Sequence, residues 1–245
     1  MAYVLEECDA GLTKEFRKYF SSRYQRPGIY RSENRQETPE AAKRVNQRRA
    51  EVTLRRLMNT NFRDGDFLIR LDFHKWQPLD SIEMQKMIST AIRRLKRLYE
   101  KNGKALKYIY VKEIGPRGSR HIHMMVNKID TEVLRTWWEY GAIHIDPLCS
   151  EGQYRKIAAY FIKYAAKTEE TEGKLIGKRW YASQNLQKPK IKKHIINAAT
   201  FKKKVKELPG YYLDKDTLRD GVNEFGFDFF EYTLIAISER GPNAS

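Results

Sequence analysis

The chain has 245 residues, 41% of them hydrophobic, which is enough to bury a core and excludes a disordered tail protein. Its 47 Lys and Arg against 31 Asp and Glu give a formal net charge of +16, an excess that points to an acidic polymer, most often nucleic acid, as partner. The start MAYVLEECDAGL is no signal peptide, the longest apolar stretch is short and broken by acids, and Cys8 and Cys149 have no metal or redox spacing, so a cytoplasmic protein without a membrane partner is expected.

Residues 1–37 mix charge with aromatics and read as an irregular N-terminal segment. TPEAAKRVNQRRAEVTLRRLMNTNF follows as a helix, with Thr38 as N-cap and Pro39 at the first helical position. DFLIRLDF (66–73) reads as a strand, and LDSIEMQKMISTAIRRLKRLYEKNG as a long amphipathic helix capped by Asp80 or Ser81 and closed by Gly103. LKYIYVKEI (106–114) is a strand that turns through GPRGS into the strand RHIHMMVNK. A helix around 130–140 carries Trp137 and Trp138, and the short strand AIHID precedes the helix GQYRKIAAYFIKYAAKT. A polar connector (168–178), the segment RWYASQNLQKPKIKKH, the basic run FKKKVK and a strand near 226–237 complete the chain, with no internal repeat. Strands alternating with long helices around one tight hairpin imply an α+β fold, a mainly antiparallel central sheet covered by helices.

Alternation along the histidine strand puts His121 and His123 on one face. Folding the hairpin about a five-residue loop, Gly115 to Ser119, pairs Ile114 with Arg120 and Glu113 with His121, and directly opposed residues share a face. Two imidazoles and one carboxylate in that arrangement form a candidate metal site with open positions for water or phosphate oxygens, although strand histidines also occur as simple hydrogen-bonded residues. In AAYFIKYAAK, Tyr160, Lys163, Tyr164 and Lys167 fall at i, i+3, i+4 and i+7 and project from a single stripe. They are rim residues with snorkelling lysines, or they are a nucleophile: a phenol near an ammonium or a metal is drawn toward the phenolate and attacks a phosphodiester.

FLIRLDF, HIHMMV and YFIKYAAK stand in the order of motifs 1, 2 and 3 of the HUH endonucleases, and the chain resembles that superfamily over about residues 38–190. The likeness is to rolling-circle replication initiators of the two-tyrosine type found in single-stranded DNA phages and related plasmids or prophages. GKRWYASQNLQKP also looks like a segment that follows the third motif there. The resemblance implies a five-stranded antiparallel sheet flanked by helices, with His121, His123 and Glu113 as ligands of Mg²⁺ or Mn²⁺. It also implies Tyr160 as nucleophile with Lys163 as companion, and Tyr164 as a second nucleophile for the return strand transfer. One departure stands out: relatives commonly carry threonines on the motif 1 strand, where this chain has Arg70 and Asp72.

The expected function is therefore initiation of rolling-circle DNA replication by a metal-dependent, site-specific single-stranded DNA nickase and strand transferase. Its intermediate is a 5′-phosphotyrosine, its substrate single-stranded or hairpin origin DNA, and it works with a host helicase and DNA polymerase, since no GxxxxGK[ST] loop is present. Arg48, Arg49, Arg70, Arg120, Arg179, Lys192 and Lys193 are the candidate DNA-binding residues, within basic helices at 43–56 and 93–104 and the run 188–206. Residues 38–190 are expected to form the nicking domain, with 191–245 as a basic extension packed on it. A conjugative relaxase or single-stranded DNA transposase uses the same parts, and a non-enzymatic nucleic-acid-binding protein is the alternative from another class.

Overall fold

The computed structural model describes residues 2–21, 38–74, 80–115, 118–170, 178–223 and 226–237, the side chains of residues 2, 167–170 and 200 excepted. The fold is α+β, with two five-stranded antiparallel sheets rather than the single sheet expected. Contacts divide the chain into two compact units, residues 61–186 and residues 1–60 together with 187–245. The boundaries expected after residues 37 and 190 therefore do not coincide with the units, and the C-terminal residues build a sheet with the N-terminal ones.

In the unit of residues 61–186 the strands are β3 (Phe67–Asp72), β4 (Tyr108–Ile114), β5 (Arg120–Val126), β6 (Ile143–Pro147) and β7 (Tyr181–Ala182), in the order β6-β3-β5-β4-β7. The histidine strand β5 is central, which buries five of its seven residues. One face, with Ile69, Leu71, Ile122, Met124 and Val126, packs on helix α2 (Ser81–Lys101) through Met84, Ile88, Ala91, Leu95 and Tyr99. Asp80 caps this helix: its side chain accepts from the Ile82 and Glu83 amides, and Glu83 accepts in return from the Asp80 amide. Burying the apolar stripe is worth on the order of 1.5–3 kcal/mol per large side chain, so α2 is the main anchor of that face. Helix α3 (Thr131–Thr136) ends earlier than expected, and Trp137 and Trp138 continue into the core from irregular backbone. Helix α4 (Arg155–Glu170) packs beside β4 and buries Ala158, Phe161, Ile162 and Ala165.

Gly141 fixes how the chain passes the end of β3. A Cβ there would lie 2.1 Å from the Asp72 carbonyl oxygen, an oxygen that also accepts from Trp138 Nε1 at 3.0 Å. Gly141→Ala is expected to cost about 1–3 kcal/mol, the usual cost of forcing extra volume into a packed site. A urea titration followed by tryptophan fluorescence, which reads Trp137 and Trp138, checks it.

The other unit holds β1 (Ala2–Asp9), β2 (Thr13–Ser21), β8 (Lys190–Ile196), β9 (Tyr211–Val222) and β10 (Asp228–Ala236), in the order β8-β1-β2-β10-β9. Within the stretch 1–37 expected to be irregular, residues 2–21 are thus a hairpin, and residues 22–37 lie outside the described ones. The apolar signal is hidden because β1 and β2 alternate buried acids with hydrophobics: Glu6 and Glu15 lie inside beside Val4 and Cys8. Helix α1 (Pro39–Asn61) is capped by Thr38, whose Oγ1 accepts from the Ala41 amide. Arg55 Nη2 lies 2.8 Å from Glu15, Arg56 Nε lies 2.8 Å from the other Glu15 oxygen, and Arg56 also reaches Glu6 at 3.4 Å. Two arginines of the basic run 43–56 therefore neutralise acids of their own unit instead of facing solvent.

Candidate active site

The face of the first sheet opposite α2 carries the polar residues. The hairpin register is Glu113↔His121 and Ile114↔Arg120, the pairing that alternation and loop length imply. The Gly115 amide donates to the Ser119 carbonyl at 2.7 Å and closes the loop, whose residues 116–117 lie outside the described ones. On the other side of β5, β3 pairs Arg70 with His123 and Asp72 with His121. Three adjacent strands thus present Asp72, Arg70, His121, His123 and Glu113 on one face.

These groups are held in two pairs. His123 Nε2 lies 2.7 Å from Glu113 Oε2, both residues buried. His121 Nδ1 lies 2.6 Å from Asp72 Oδ1, and its Nε2 lies 2.9 Å from Ser119 Oγ. Burial works to raise the Asp72 carboxyl, but the His121 hydrogen bond and the Arg70 charge outweigh it and hold it below its ordinary value. An ionised Asp72 only accepts, so His121 donates from Nδ1 and turns Nε2 toward the Ser119 hydroxyl. A Cβ at residue 115 would lie 2.7 Å from Ser119 Oγ and 3.2 Å from His121 Nε2, so the glycine makes room for the Ser119 hydroxyl to reach that nitrogen. His144 Nε2 joins from β6 at 3.2 Å from Asp72 Oδ2, and Arg70 Nε lies 3.2 Å from Oδ1. Among the described residues, no three His, Cys, Asp or Glu side chains converge on one point as a metal cage.

The two tyrosines of α4 reach the same place. The Tyr160 ring stands edge-on to His123 with centroids 5.2 Å apart, the Tyr164 ring stacks on His123 at 5.5 Å, and the two phenols are 4.3 Å apart. Tyr160 is 37% exposed. Its phenol is pushed up, first by burial, then by the hydrogen bond with Tyr164 and the nearby Glu113 charge, against a smaller opposing effect of Arg70. Lys163 is exposed and makes no hydrogen bond or ion pair among the described residues, and the Lys167 side chain is outside them.

The candidate DNA-binding residues divide between the units. Arg70, Arg120 and Arg179 belong to the unit of the histidine strand, and Arg48, Arg49, Lys192 and Lys193 to the other. Arg48 is paired with Glu231 at 3.0 Å and Lys193 with Glu6 at 3.0 Å, while Arg49 and Lys192 are exposed. Sequence reasoning left Asp72 without a role, and His144 and Ser119 outside the site. The alternation of FLIRLD already put Arg70 and Asp72 on one face; the missing knowledge was that β3 pairs with β5.

A family model of replication-associated proteins, of the ORF2 type, matches residues 71–169, the stretch that holds Asp72, Glu113, both strand histidines and both tyrosines. No curated protein and no solved structure matches the chain. Among the described residues, no helix is long and apolar enough to cross a membrane.

Proposed function

We propose that the chain initiates rolling-circle DNA replication by nicking single-stranded DNA at a specific site and later transferring the strand, through a 5′-phosphotyrosine. The observation that carries this reading is that both phenols of α4 pack against His123, Tyr160 edge-on and Tyr164 stacked, and that His123 Nε2 meets Glu113 on the same sheet face. The likeness of residues 71–169 to replication-associated proteins supports the biological setting.

The donor chemistry fits a divalent cation such as Mg²⁺ or Mn²⁺. His123 Nε2 and Glu113 Oε2 would hold the cation, and His121 would offer Nε2 on exchanging its contact with the Ser119 hydroxyl. A cation held there would supply Lewis-acid polarisation of the scissile phosphate and favour ionisation of the neighbouring phenol. The protein's own residues do the rest. Asp72 orients His121, as carboxylates behind ligating histidines do. Tyr160, the more exposed phenol, attacks phosphorus; its Oη–P bond forms as the P–O3′ bond breaks, and the phenolic proton passes to the departing 3′ oxygen. Arg70, held by Asp72, supplies positive charge beside the phosphate. Tyr164, one turn along the helix, is the second nucleophile when a regenerated site arrives, and the free 3′-OH then attacks the first phosphotyrosine.

The direct test is incubation of a labelled single-stranded origin oligonucleotide with the protein and Mn²⁺. A denaturing-gel band of protein covalently joined, through the 5′ phosphate at the nick, to the fragment on the 3′ side is expected, with the label placed on that fragment, and its absence from every candidate origin strand overturns the reading. Asp72→Ala is expected to lower cation affinity and adduct yield roughly 10- to 100-fold, the range for losing a group behind a ligating histidine. Asp72→Asn, which keeps an acceptor for His121 Nδ1, is expected to lose less; Mn²⁺ titration calorimetry ranks the two.

A further inference from the structure

The unit of β1, β2, β8, β9 and β10 contains a groove that the nicking chemistry does not use. It has a volume of about 560 Å³, within the ~300–1,000 Å³ range of small-ligand clefts. Its floor is one face of the sheet. The register sets Lys192 opposite Glu7 and Lys190 opposite Asp9 on β8 and β1, and Lys14 opposite Asp9 on β2. A strap of residues 197–210 lies over this face, seating Phe201, Val205 and Leu208 on the cluster of Phe16, Phe230, Tyr232 and Leu234. Lys206 of the strap also lines the groove.

Four lysines therefore meet two carboxylates. Lys14 is paired with Asp9 at 2.9 Å and Lys206 with Glu7 at 3.6 Å. Lys190 and Lys192 form no ion pair among the described residues and are exposed. They lie two residues apart on one strand face, about 7 Å at the usual rise, so they can meet two separate anionic groups. The opposite wall is formed by Leu208, Pro209 and the partly exposed ring of Tyr211, whose centroid lies 5.6 Å from Lys14 Nζ, with Phe16 beneath stacked on Tyr232 at 4.9 Å. A cationic wall facing an aromatic one suits phosphates joined to flat bases. An acidic peptide has charge for the first wall and nothing that needs the second.

We infer that this groove is a second single-stranded nucleic-acid site, in which Lys190 and Lys192 hold two backbone phosphates while a base packs against Tyr211 and Pro209. It rests on the proposed function only in taking single-stranded DNA as the partner. Its consequence is that the protein grips its substrate at a place separate from the cutting site, without sequence preference.

Fluorescein-labelled dT12 binding to the full chain, followed by anisotropy in EDTA against NaCl concentration, tests the site without cleavage. Each phosphate neutralised on a single strand contributes about −0.7 to the slope of log K against log salt, so Lys190→Gln with Lys192→Gln is expected to make the slope shallower by about 1.4. At 0.1 M salt, relative to 1 M, that difference is roughly a 25-fold loss of affinity. Lys190→Arg with Lys192→Arg is expected to keep the slope, which separates lost charge from lost fold. Tyr211→Leu is expected to weaken binding with the slope unchanged. Parental affinity and slope in the Gln pair, or equal competition by poly-glutamate of matched charge, overturn the inference. The covalent-adduct assay is independent: a chain that forms no adduct but shows these slopes keeps the groove and loses the nickase, and the reverse result does the opposite.

Discussion

Tyr160→Phe combined with Tyr164→Phe is expected to abolish the covalent protein–DNA adduct, with a rate loss on the order of 10⁴ to 10⁶, as for removal of a nucleophile in other enzymes. Both rings remain in the variant, so their packing on His123 and on each other is kept, and only two hydroxyls at a partly open surface are lost. Folding stability is therefore expected to change by less than about 1 kcal/mol. Tyr160→Phe alone is expected to leave a weaker adduct carried by Tyr164, because the two phenols stand 4.3 Å apart over one imidazole. Peptide mapping of the linked fragment identifies the residue. The rate should also rise with pH across the neutral and alkaline range, since burial, Tyr164 and Glu113 all hold the Tyr160 phenol in its neutral form. An adduct formed at the parental rate by the double variant removes the tyrosines from the chemistry.

What could be read from the sequence follows from the range of the interactions involved. The β4–β5 hairpin was legible to the exact pair, Glu113 opposite His121, because strand alternation and a short loop are local and fix the register. The capped ends at Thr38 and Asp80 were legible for the same reason. Asp72 escaped because its role depends on β3 lying beside β5, a pairing across nearly fifty residues of chain that no local pattern encodes. The second sheet escaped twice over. It joins residues from both ends of the chain, and its buried Glu6 and Glu15 belong to an ion network with Arg55 and Arg56 that makes β1 and α1 look like solvent-exposed sequence. Strand β9, with buried positions absent from YYLDKDTLRDGV, carries no core signal at all.

His123 is the residue on which the two halves of the site meet, and its loss is expected to have the second large effect. It touches Glu113 through Nε2 and both phenols through its ring, and it is 5% exposed. His123→Ala leaves the buried Glu113 carboxylate without its partner, a cost of about 1–3 kcal/mol in stability, and opens space beneath the tyrosines. Activity measured on that variant mixes a damaged scaffold with a lost ligand. Glu113→Gln separates them, because the amide can still pair with the imidazole at nearly the same volume while the negative charge disappears. Stability is then expected to stay within about 1 kcal/mol of the parent. Mn²⁺ affinity and adduct yield should fall at least about 100-fold, beyond the range for groups that merely orient a ligand. The electrostatics give the opposite sign for the phenol: removing the Glu113 charge relieves one of the influences that push Tyr160 up, so in the absence of cation the variant's phenol should ionise more easily, not less. A variant that loses the adduct while its Tyr160 ionises more readily, followed by ultraviolet difference titration, isolates cation binding as the step that failed. Parental Mn²⁺ affinity in Glu113→Gln removes the cation from this pair and leaves the His123–Glu113 bond as a structural one.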